Sequence, residues 1–115
     1  MMLEEFVRST LAVVSRKGIG EFAPTLCVPV REHVAVIAGI PEGVDHREAI
    51  QNVIRRNSLE NEELLFSLLT GAQEVTVGHW KLDGATRFAQ IDLSSEEPVV
   101  EYNVPCGWWT LSPPE

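Results

Sequence analysis

The chain has 115 residues, 44% of them hydrophobic and 23% charged, with a formal net charge of −8. That length supports one core and would leave two separate cores marginal, and the balance of residue types excludes a disordered or fibrous chain. The longest apolar runs, LCVPV and VAVIAGI, fall far short of the ~20 residues of a membrane-crossing helix, and excess acid repels phosphate backbones, so neither a membrane nor a nucleic acid is expected as a partner.

The charge is uneven. Residues 1–56 hold seven acids and seven bases, whereas residues 57–115 hold ten acids and two bases. Such a surface attracts a basic protein partner over long range. The first residues, MMLEEFVRST, carry two acids before any base, unlike a secretory signal, and a cytoplasmic address is the simplest expectation. Two cysteines, Cys27 and Cys106, cannot build a framework of several bridges; one disulfide between them is geometrically open, and reduced, partly buried thiols are the expectation.

Leu3, Phe6, Val7, Thr10, Val13 and Val14 recur at helical spacing, with Glu4 and Glu5 early and Arg16, Lys17 and Gly18 at the end. This order predicts an amphipathic helix whose charges complement its dipole and whose glycine stops it. FAPTLCVPV and HVAVIAGI, separated by REH, predict two strands in a hairpin. Pro24 and Pro29 cannot donate to a ladder, so the first strand is expected to be an edge or irregular strand and the second is the better candidate for the interior.

In PEGVDHREAI, Asp45 precedes His46, and Glu48 lies two positions further on. A catalytic pair or a metal site needs side chains that converge, which neighbours in one helix turn rarely do. Asp45 as an N-cap, with Glu48 at the third helical position and Val44 packing on Ala49, accounts for the same residues structurally. The spacing predicts a helix beginning at His46, with Ala49, Ile50, Val53 and Ile54 inward and Arg55 and Arg56 in its last turn.

SLENEELLFSLLTG fits both periods, and its leucines and glutamates tip the expectation toward a second short helix. QEVTVGHWKLDGATRFAQIDL predicts a hairpin around an Asp83-Gly84 turn, which would set Trp80 opposite Arg87 and His79 opposite Phe88. A last short strand is expected at Val99 to Tyr102. Together these elements predict a single α+β domain, residues 1–115, with a mainly antiparallel sheet of about five strands packed against two or three helices.

No metal-ligand spacing joins His33, His46, His79, Cys27 and Cys106, no phosphate-binding glycine pattern occurs, and no local motif makes Cys106 a nucleophile, so neither a metal nor another cofactor is expected. The leading expectation is a non-enzymatic interaction module that self-associates as a homodimer or binds a partner through its C-terminal half. Adjacent Trp108 and Trp109, after Pro105, are the candidate interface, because indoles concentrate binding energy. An inhibitor of a basic toxin is one concrete form, motivated by size and charge. The alternative is a small-molecule binder or small enzyme with a pocket around Trp80, Arg87, His79 and Tyr102, where an arginine could hold an anion against an aromatic face.

Overall fold

The computed structural model describes residues 2–18, 22–37, 45–59, 62–80 and 86–104. It is an α+β fold with two helices, α1 (Leu3–Lys17) and α2 (His46–Arg56), and six strands. The strands are β1 (Thr25–Val28), β2 (His33–Val36), β3 (Leu64–Gly71), β4 (Glu74–Trp80), β5 (Thr86–Asp92) and β6 (Val99–Tyr102). They form one sheet in the order β2-β1-β3-β4-β5-β6, with every neighbouring pair antiparallel.

Because β1 runs antiparallel to both β2 and β3, those two strands are parallel to each other. The chain between them crosses β1 through α2, and this crossover places α2 on one face of the sheet. The other face is taken by α1. Leu3, Phe6, Val7 and Val14 of α1 pack with Cys27, Leu65, Val75, Val77, Ala89 and Ile91. Ile50 and Ile54 of α2 pack with Leu26, Val28, Leu64, Phe66, Leu68, Trp80 and Phe88. The two sets alternate along each strand, as a pleat with both sides covered requires. Each fully buried aliphatic or phenyl side chain contributes about 1.5–3 kcal/mol.

The expected stop of α1 and the expected cap of α2 are both present, while Val44 lies outside the described residues. The α1 helix stops at Gly18, whose φ of 82° is the left-handed region and whose N–H donates to the Val14 carbonyl at 2.8 Å. Asp45 caps α2, its Oδ1 accepting from the Arg47 N–H at 2.8 Å. The Arg47 guanidinium also grips the same carboxylate, with Nη2 2.6 Å from Oδ2. These bonds, first the side-chain one from Arg47, hold the Asp45 carboxyl below its ordinary range.

Three expectations are corrected. Residues 64–71 are strand β3, not a helix. This strand lies inside the sheet with a helix over each face, so its run of five buried residues is what a doubly covered strand needs, and burial overrides the helix preference of leucine. Next, β1 is interior and β2 is the edge, the reverse of the expected order. Pro24 and Pro29 flank β1 without interrupting it, and the Pro24 carbonyl still accepts from Ile37 N–H at 2.8 Å.

The third correction concerns the β4–β5 hairpin, which has Trp80 opposite Thr86 and His79 opposite Arg87. That is one residue away from the register of a two-residue Asp83-Gly84 turn, and those two residues lie outside the described ones. A slip of one residue exchanges the faces of a whole strand. On the other side of β4 the β3 register sets Phe66 opposite Gly78, so the Phe66 ring lies over that glycine, in an edge-to-face contact with Phe88 at 6.1 Å.

Candidate functional site

The helices sit over the middle of the sheet and leave the β1–β2 hairpin partly uncovered on both sides. On the α1 side a groove of about 310 Å³ runs along the hairpin, lined by Phe6, Val13, Phe22, Val34 and Val36, with Arg16 at its rim. On the α2 side a cleft of about 470 Å³ lies between Leu26, Val28, Ala35, Val53 and Leu59. Arg31 borders that cleft too, and is fixed by an ion pair with Glu62 at 2.7 Å.

The outer border of both is strand β2. Its side chains follow from register: Val34 pairs with Cys27 and Val36 with Thr25, so both valines share the α1 face. They are 55% and 62% exposed. Its backbone follows from the ladder. The Ile37 N–H donates to the Pro24 carbonyl, and alternation along an antiparallel pair then turns His33 and Ala35 toward β1. The N–H and C=O groups of Val34 and Val36 point away from the sheet. The same two residues thus present both apolar side chains and open backbone groups.

The opposite edge is built differently. Strand β6 is preceded by Glu96, Glu97 and Pro98 and contains Glu101, devices that discourage another strand from adding. Strand β2, HVAV, is preceded by Pro29, Arg31 and Glu32 but contains no acid, lysine, arginine or proline within the strand, whereas β6 carries Glu101 inside it.

Of the residues expected to form a pocket, His79, Arg87 and Tyr102 share the α1 face and Trp80 lies on the other. Trp80 is 1% exposed and lies in the α2-side core. His79 and Arg87 are a cross-strand pair on the α1 face, and Tyr102, opposite Ala89, is at the far edge of that face. Neither cleft is lined by any of these four. Arg87 instead bridges the ends of two elements, reaching Glu4 of α1 at 3.3 Å and Asn103 after β6 at 3.2 Å. Glu4 is held below the ordinary carboxylate range first by its own backbone amide, with Arg87 adding to the effect.

His79 is 3% exposed, its Nε2 3.3 Å from Glu63 Oε2 in a contact without hydrogen-bond geometry. Among the described residues no three His, Cys, Asp or Glu side chains converge as a metal-ligand set, and no helix is long and apolar enough to cross a membrane. Cys27 is buried and free, and burial pushes its thiol up. Pro105, Cys106, Trp108 and Trp109 lie outside the described residues.

Sequence reasoning missed the β2 edge because the prolines drew attention to its neighbour. The signal was present in HVAV itself, a β-rich stretch with no acid, lysine or arginine inside it. The chain matches no family model, and no curated protein or solved structure is significantly similar to it.

Proposed function

We propose that this protein is a non-enzymatic interaction module that binds an extended polypeptide segment along strand β2. The observation that carries this reading is the coincidence, at Val34 and Val36, of exposed apolar side chains with backbone groups directed away from the sheet, beside an apolar groove. A strand added there would gain main-chain hydrogen bonds, and alternate side chains would enter the groove over Phe6 and Phe22. The binding region so proposed belongs to the N-terminal half of the sequence, whereas the tryptophan tail that the sequence alone suggested lies outside the described residues. Attraction of a basic partner to the acidic far end of the sheet is a separate proposal resting on charge.

The test uses a peptide of the chain's own residues 31–37, REHVAVI, titrated into the isotope-labelled full chain. Resonances of Val34, Val36, Phe6 and Val13 are expected to move while those of β6 stay in place. Movement confined to β6, or none at millimolar peptide, would contradict the reading.

A further inference from the structure

We infer that the segment taken by β2 is β2 of a second copy, giving a homodimer whose two sheets join into one of twelve strands. The inference rests on the proposed use of this edge and names its occupant. Two features of the chain select that occupant: the edge is complementary to itself, and the charge is distributed so that this edge alone can be brought against its own copy without gathering acid.

Self-complementarity fixes a register. Two copies of one strand related by a two-fold axis pair antiparallel, and paired side chains share a face only when the axis passes at a residue or its hydrogen-bonded equivalent. The outward groups belong to Val34 and Val36, so the pairing that uses all of them sets Val34 against Val36 of the second copy, with Ala35 meeting its own counterpart on the axis. Both Val34–Val36 pairs are then of the hydrogen-bonded kind and supply four backbone bonds. A pairing centred on Val34 or on Val36 would satisfy only the groups of the axial residue within the strand, because Val36 would face Glu32, whose left-handed φ of 51° lies outside β2, in the first and Val34 would face a position beyond the end of β2 in the second. In the first arrangement the four valines form one continuous apolar row on the α1 side. That row joins the two grooves and closes them at the side now open.

The charge points the same way. The sheet order puts β2 at one edge and β6 at the other, and Asp92, Glu96, Glu97 and Glu101 all belong to the β5–β6 end. Residues 57–115 carry ten acids against two bases, whereas residues 1–56 are balanced at seven and seven. Joining β2 to β2 keeps Asp92, Glu96, Glu97 and Glu101 at the two extremes of the assembly, and Glu62, the acid of the C-terminal half that reaches the β1–β2 end, is already neutralised by Arg31. Joining β6 to β6 would bring the acids together and cost Coulomb energy. Joining β2 to β6 would not close, and would add further copies without limit.

The experiment measures molar mass by light scattering on the full chain, on Val36→Lys and on Ala35→Cys. Val36 is exposed, so its replacement is expected to leave the fold intact while raising the dissociation constant at least tenfold. The wild type is expected to be a dimer at 100 micromolar and Val36→Lys a monomer. Under mild oxidation Ala35→Cys is expected to form a covalent dimer, because the axial pair has a Cα separation of about 4.5 Å, within disulfide range. Val34→Cys, offset by two residues from its own counterpart, is expected to cross-link no faster than the wild type with its natural cysteines. The cross-linking arm decides the matter even if Val36→Lys fails to fold. A full chain that stays monomeric while still binding the residue 31–37 peptide overturns the dimer and leaves the strand-addition reading standing. A dimer that survives Val36→Lys and is not cross-linked through position 35 overturns it by placing the contact elsewhere.

Discussion

Replacing Gly78 by alanine tests the packing that fixes the sheet. A Cβ at this position would sit against Cζ of Phe66 and within 2.5 Å of Cε2 and 2.9 Å of Cε1. The Phe66 ring is 0% exposed and stands edge-on to Phe88, so it has no open space to swing into. Overpacking of this kind costs about 1–3 kcal/mol, and three ring atoms in the way put Gly78 at the upper end. Against this stands the gain from removing a strand glycine, about 0.5–1 kcal/mol. The expected net loss is about 2 kcal/mol, or a fall in Tm of about 8 °C for a chain of this size. Urea denaturation followed by circular dichroism measures it. Phe66→Leu alone is expected to cost about 1 kcal/mol, and the double variant less than the two losses together, with a coupling of at least about 1 kcal/mol. A Gly78→Ala protein as stable as the wild type would refute the close approach of ring and backbone, and with it the register of β3 on β4.

Further expectations concern three single side chains. Asp45→Ala is expected to lose about 1 kcal/mol of stability through the missing cap, measured by thermal melting. Since the folded Asp45 carboxyl lies below its ordinary value, the stability from its ion pair is present above the unfolded pKa of about 3.9 and is lost as pH falls through the folded value. Asp45→Asn can still cap, and is expected to show a shallower loss of stability below about pH 4 than the wild type. Arg87→Met, at a pair whose side chains are 38% and 43% exposed, is expected to change stability by less than about 1 kcal/mol and to leave peptide binding at β2 unaltered. Trp80→Ala is expected to cost about 3–5 kcal/mol as a core truncation, measured by denaturant titration, and a loss below about 1 kcal/mol would contradict its burial.

Local signals carried much of the fold. Leu3, Phe6, Val7 and Val14 repeat every three or four residues, and α1 follows them to Gly18. Asp45 before a positively flanked apolar stripe marked α2 to the residue, because a cap, a dipole and a stripe all act within a few positions of one another. What stayed hidden depended on neighbours far along the chain. Leu64 to Leu68 became a strand because β1 and β4 lie beside it and a helix over each face, a setting that no window of its own sequence contains. The faces of Trp80 and Arg87 turned on a single residue in the connection between β4 and β5. Period-two side chains make that small difference total, so an arginine placed beside an indole by one count lies across the sheet from it by the next.

The order of β1 and β2 was hidden for a related reason. Proline excludes a residue from donating within a ladder but says nothing about a strand that begins just after one proline and ends just before another. The edge role passed to HVAV, and with it the candidate binding surface.

Amide hydrogen exchange at Val34 and Val36, followed by NMR at 10 micromolar and at 1 millimolar protein, tests the β2 surface most directly. Both amides are expected to be open at the lower concentration and at least tenfold slower at the higher one, while Ala35, bonded to β1 in either state, and Glu101 of β6 keep their rates. Fast exchange of Val34 and Val36 at both concentrations, persisting when the residue 31–37 peptide is added, would show that no strand joins this edge.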